Sequence, residues 1–138
     1  MPDVLLAPMA AHVALAALLY VLLTVARAPA IWGIGRRPDG GNPWAAVEPR
    51  IGANLSNQFE WPLFFHVACL CFLLLRPDAV DGAVVALAWL FVAGRILHSL
   101  VQVLTGNVRL RGLVFTLNFA AVLGMWGLLV ARGGVAAA

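Results

Sequence analysis

Four long apolar stretches, each carrying few charges, leave this chain little choice of fold. They cover residues 4–26, 50–75, 79–104 and 110–131, with short polar segments between them. A helix needs about 20 consecutive apolar residues to cross the hydrocarbon of a bilayer. The chain is 63% hydrophobic and 11% charged, whereas soluble domains sit near half apolar and a quarter charged. The pattern predicts an all-α, polytopic membrane protein. It predicts a four-helix bundle that uses residues 1–138 as a single domain, with membrane lipid as its solvent.

The first stretch is followed by Ala28-Pro29-Ala30, which resembles a signal-peptidase site. The segment before it holds Asp3 and no arginine, and the apolar run is too long for a secretory signal. It is read as a retained helix. His12 lies inside it, and a neutral histidine bonded to a neighbouring helix is the expected state, with no functional role. Residues 27–49 form a loop rich in Gly and Pro. The second helix is expected to open near Pro49, a good first-turn residue, and to run unbroken to Leu75. Pro62 lies inside it and frees a backbone carbonyl that a polar side chain can use.

All nine basic residues are arginine, and the net charge is +3. In a membrane chain such charges set topology and meet anionic lipid, so nucleic-acid binding is not expected. Arg27, Arg36, Arg37, Arg50, Arg109 and Arg111 fall on one side of the predicted spans. Arg76 and Arg132 fall on the other, beside Asp3, Asp78 and Asp81. The arginine-rich side is the cytoplasmic one. Both termini are therefore expected outside, with the loops after spans one and three in the cytoplasm. Cys69 and Cys71 are two apart on a helix and point to nearly opposite sides, so they neither bridge nor share a metal. They read as small buried hydrophobes, and no metal site is predicted.

Polar residues inside the spans are costly and mark functional sites by default. Arg50, Asn57 and Glu60 lie along one side of the second span. Arg95, His98 and Gln102 share a face of the third, at spacings i, i+3 and i+7. Arg111 opens the fourth, with Asn118 seven residues deeper. These groups meet at one depth, in the cytoplasmic half. A buried Glu60–Arg95 ion pair that only holds the bundle together is the structural alternative. Against it stands the charge count: Arg50, Arg95, Arg109 and Arg111 oppose the single Glu60. Such a surplus suits a ligand with two carboxylates, which arginine binds in bidentate fashion, while one glutamate suits an amine. Glutathione has that layout, although spacing alone does not name it.

Three segments resemble the MAPEG family, the membrane-associated proteins of eicosanoid and glutathione metabolism. Asn57-Gln-Phe-Glu60 before Pro62 is similar to that family's Asn-x-x-Glu signature. Gly94-Arg95-Ile-Leu-His98 is similar to its third helix, and Leu110-Arg111-Gly-Leu-Val-Phe115 to the start of its fourth. The resemblance implies a homotrimer with glutathione held between subunits near the cytoplasmic side. It implies that Asn57 and Glu60 hold glutathione's polar ends, with Arg50 within reach. Arg95, His98 and Gln102 would line the pocket, and Arg111 would lie near the sulfur as the catalytic group. The expected activity is that of a glutathione transferase or peroxidase acting on hydrophobic electrophiles. The chain departs from the family pattern at Ala53 (arginine in several members), Gln102 (commonly tyrosine) and Gly112 (serine in the prostaglandin enzyme). These departures argue against prostaglandin synthesis. They leave two rivals: a non-catalytic scaffold of the same family, and a small proton-coupled transporter using Glu60.

Overall fold

The computed structural model of the chain describes residues 2–133. Among them there are five α-helices, two short 3-10 turns and no strand. The helices are α1 (Leu6–Trp32), α2 (Glu48–Ser56), α3 (Pro62–Leu75), α4 (Gly82–Leu104) and α5 (Val108–Gly133). Three of them, α1, α4 and α5, are long and apolar enough to cross a membrane, and α3 is a shorter apolar helix.

The second predicted span is not one helix. It breaks over residues 57–61, between α2 and α3. Proline lacks the N–H that would bond four residues back, and its ring collides with the carbonyl there. Pro62 therefore starts a new helix, at a first-turn position where no N–H is needed. One carbonyl in the break is taken by a buried side chain, since Arg95 Nη2 donates to the Asn57 carbonyl at 3.1 Å. Asn57 and Glu60 consequently lie in the break rather than along one helical face.

The first helix outruns its predicted end at Ala26 by almost two turns. Loop side chains donate to carbonyls of its last two turns. Arg36 Nε donates to the Pro29 carbonyl at 2.6 Å, and Asn42 Nδ2 to the Ala26 carbonyl at 3.0 Å. Gly33, at φ 73°, closes the helix in the left-handed conformation that favours glycine. The chain then returns to α2, where Arg27 pairs with Glu48 at 2.7 Å.

Along α1 only a narrow stripe is buried, including Pro8, His12, Ala16, Leu19, Leu23 and Ala26. These recur every three or four residues, so one helix face packs and the rest is apolar and exposed, as lipid requires. At one end of the molecule Leu19, Leu23 and Ala26 meet Ile51 and Leu55 of α2. At the other, α3, α4 and α5 share a larger core in which the Phe65 and Phe91 rings stack at 4.1 Å. Trp61 stacks on Phe119 at 4.5 Å, and Trp126 Nε1 donates to the Phe64 carbonyl at 3.1 Å, tying α3 to α5. Cys69 is buried in this core and Cys71 half-buried, both free.

The turn between α3 and α4 closes with a compact charge cluster. Asp81 caps α4 by accepting from the Ala83 and Val84 amides at 3.0 and 3.1 Å. It also pairs with Arg132 at 2.7 Å, while Arg76 pairs with Asp78 at 3.1 Å. Arg76 Nη1 further donates to the Arg132 carbonyl. The Arg132 hydrogen bond holds the Asp81 carboxyl below its ordinary range, and the Arg76 hydrogen bond does the same for Asp78. The side chain of Asp3, expected beside this cluster, lies outside the described residues, as does the tail beyond Gly133.

Candidate functional site: a groove of unpaired arginines

At the opposite end, α2, α4 and the start of α5 enclose a groove. It comprises two adjoining cavities of about 250 and 390 Å³ that share Ala53, Gln102, Val108 and Arg111. The outer cavity also takes Arg50 and Asn107, and the inner one Asn57, His98 and Phe115. The local chain explains this shape. Arg50, Ala53 and Asn57 follow one another at three and four residues along α2 and present a single face. Asn107 Oδ1 accepts from the Leu110 amide at 3.0 Å, which caps α5 and sets Arg111 in its early turns.

The charged and amide groups here have unequal surroundings. Arg50 and Arg111 are exposed. Among the described residues neither has a carboxylate within 4.0 Å, since the ion pairs found are Arg27–Glu48, Arg76–Asp78 and Arg132–Asp81. Gln102 is nearly buried and its Oε1 is saturated. It receives Asn54 Nδ2 at 3.1 Å, Asn57 Nδ2 at 3.2 Å and His98 Nε2 at 2.9 Å. The oxygen being committed inward, the Gln102 NH₂ remains as the donor available on the groove side. His98 Nδ1 is buried with no protein partner.

Behind the groove lies a second polar layer. Asn54 and Arg95 are fully buried, and Gln58 and Ser99 nearly so. Arg95 Nε donates to Gln58 Oε1 at 3.1 Å, and Gln58 Nε2 donates to Asn54 Oδ1 at 3.0 Å. Ser99 Oγ donates to the same Asn54 oxygen at 2.9 Å. The layer reaches α1 through His12, whose Nε2 lies 3.1 Å from Gln58 Oε1. His12 also meets α3, where its Nδ1 lies 3.0 Å from His66 Nε2, so it is bonded to a neighbouring helix. Asn118 is also fully buried, packed so tightly on α4 that a Cβ added to Gly94 would collide with its Oδ1.

Of the seven residues singled out by sequence, Arg50, Asn57, His98, Gln102 and Arg111 line the groove. Arg95 does not; it supports the break that carries Asn57. Glu60 is exposed and lines neither cavity, and no Glu60–Arg95 ion pair forms within 4.0 Å. The sequence gives no site role to Asn54, Gln58 or Ser99, which the structure places behind the groove. Asn54 and Gln58 stand four apart, Arg95 and Ser99 likewise, and that repeat was the available signal. Among the described residues no cluster of three His, Cys, Asp or Glu side chains is placed to hold a metal.

The sequence model of the MAPEG family matches residues 5–131, nearly the whole chain. The chain belongs to the MAPEG family. No curated protein and no solved structure matches it. Members of this family generally use glutathione, and the donor set of the groove is chemically suited to it. Two guanidinium groups suit two carboxylates, and side-chain amides suit peptide groups. A carboxylate for the ammonium end is the piece that the lining of the groove does not include.

Proposed function

We propose that this MAPEG protein is an integral-membrane, glutathione-dependent transferase or peroxidase acting on hydrophobic electrophiles, with the groove as its glutathione site. The observation that carries the reading is the pairing of Arg50 and Arg111 in one groove with no carboxylate beside either. Unneutralised guanidinium groups gathered at one place favour an anionic ligand.

Bound glutathione supplies a thiol whose deprotonated form is the nucleophile. The chain's contribution is electrostatic and positional. Arg111 carries a fixed positive charge near the N-terminus of α5, and charge and helix dipole together favour a thiolate. Arg50, at the outer cavity, takes a carboxylate. The Gln102 NH₂ donates to a peptide carbonyl or to the sulfur. Arg95, by holding the Asn57 carbonyl, keeps the side chain of Asn57 at the groove wall. An apolar electrophile arrives through lipid beside Phe115, which is exposed at the rim of the inner cavity.

In this reading α2 and α3 together make one broken span, giving a four-span bundle with the groove in the cytoplasmic half. Glu60 then belongs to an assembly. Exposed at the break, it supplies the missing carboxylate to a groove on a neighbouring copy, consistent with the homotrimer that family membership implies. As a proton-coupled transporter the chain would need Glu60 in an internal path, and its exposure outside both cavities weighs against that.

The test is a titration of the purified protein with glutathione, followed by the ultraviolet absorbance of the thiolate. A saturable thiolate signal that disappears in Arg111→Ala is expected. Binding with no thiolate signal would instead identify a non-catalytic family member. Absence of binding, with pH-dependent uptake that is lost in Glu60→Gln, would identify a transporter. Cysteine labelling that finds the Arg36 loop outside would overturn the orientation.

A further inference from the structure

A third cavity, of about 320 Å³, opens midway along α1, between that helix and the α2–α3 break. It shares no lining residue with the groove. Its walls are apolar: Val13, Ala16, Ala17, Phe59 and Leu63, with the Tyr20 and Phe59 rings edge to face at 6.2 Å. Its polar groups are those of His12, Gln58 and His66 and the Tyr20 hydroxyl. The volume falls in the range of small-molecule sites, and apolar walls with a few placed polar groups are their usual make-up.

The hydrogen bonds behind this cavity have a fixed direction. The Arg95 Nε–H can only donate, so the Gln58 atom it meets at 3.1 Å is the carbonyl oxygen. His12 Nε2, 3.1 Å from that same oxygen, must therefore carry a proton. A neutral imidazole has one N–H, which leaves His12 Nδ1 as an acceptor. It lies 3.0 Å from His66 Nε2, which donates to it. By the same rule His66 Nδ1 is then a bare acceptor, on a half-buried ring that lines the cleft. Donation thus runs from His66 through His12 to Gln58 Oε1, where Arg95 also donates, and leaves a lone pair on His66, a residue of the cavity wall.

We propose that this cleft binds lipid-soluble phenols, whose hydroxyl donates to His66 Nδ1 while the ring lies between α1 and the Tyr20–Phe59 pair. An acceptor without a donor in an apolar site discriminates strongly between ligands that do and do not carry a proton to give. The aromatic wall favours a ring over a simple alkyl chain.

The experiment is a calorimetric titration of the full chain in detergent with para-hexylphenol and with its methyl ether, which has the same body and no donor. The phenol is expected to bind at least about tenfold tighter, the equivalent of one hydrogen bond. His66→Phe should bring the two affinities together while leaving the glutathione thiolate signal unchanged, which separates this site from the groove. Ala17→Leu fills the cleft from its exposed wall without touching the polar layer. It should abolish phenol binding in a protein that unfolds at the wild-type temperature. Equal affinity for phenol and ether, or phenol binding that survives Ala17→Leu, would overturn the proposal. So would failure of both compounds to bind with efficient disulfide cross-linking of Ala17→Cys between chains, the outcome if a second copy covers the cleft.

Discussion

The α3–α4 turn and the groove treat arginine in opposite ways. At the α3–α4 turn, Arg76 and Arg132 each meet an aspartate and also donate to backbone carbonyls. Their charge is spent within the chain, and the cluster closes a turn. At the α2–α5 end, Arg50 and Arg111 face a groove with no carboxylate at hand. Arginine placed beside acid reads as structure, and arginine withheld from acid reads as a site for something acidic. The difference lies in the short segments between the helices. Arg76-Pro-Asp78 and Asp81 supply acid at one end, while Thr105-Gly-Asn107 supplies none at the other.

This contrast is broken most severely by removing charge from the groove. Arg111→Ala is expected to weaken glutathione binding by more than about tenfold, the scale of losing one partner of a desolvated charge pair. Equilibrium dialysis in detergent measures it. The reverse manipulation makes the groove end resemble the other. Val108→Glu places a carboxylate three residues from Arg111 on the same helix face. Glutathione affinity should fall about tenfold, with stability altered by less than about 1 kcal/mol.

Next in size is the support beneath the groove. Arg95→Met leaves the Asn57 carbonyl without its buried donor and Gln58 Oε1 with His12 alone, a loss of about 1–3 kcal/mol for the unsatisfied carbonyl. Thermal unfolding should register it, and glutathione binding should weaken with it. Gly94→Ala drives a methyl group into Asn118 and should destabilise by about 1–3 kcal/mol, as overpacking does. The double variant with Asn118→Ala should recover much of that loss.

The smallest effect belongs to the paired end, and its sign follows from the depressed carboxyl of Asp81. A carboxyl held below its ordinary range stabilises the fold above the unfolded value, near pH 4. That stability fades as pH drops through the lower folded value. Wild type should therefore lose unfolding temperature below about pH 4, and Asp81→Asn should lose less over the same interval. Glutathione binding above that pH should be the same in both.

Much of this was legible in the chain. Apolar blocks of membrane length fixed α1, α4 and α5, and the i, i+3, i+7 spacing of Arg95, His98 and Gln102 put all three on the buried face of α4. Two features were not legible. Whether a proline kinks a helix or divides it depends on how the backbone groups around it are met, and here Arg95 takes the Asn57 carbonyl from another helix. For the same reason the spacing groups Arg95 with the ligand-binding arginines, whereas its hydrogen bonds turn it inward. The extension of α1 past Pro29 likewise rests on Arg36 and Asn42, loop side chains whose reach no periodicity records.

The central claim is that the groove's free guanidinium groups read the carboxylates of glutathione. Equilibrium dialysis of labelled glutathione against labelled glutathione diethyl ester, on wild-type protein in detergent, tests it most directly. The account predicts saturable binding of the diacid and at least about tenfold weaker binding of the diester. Equal retention of the two compounds, or retention of neither, would contradict it.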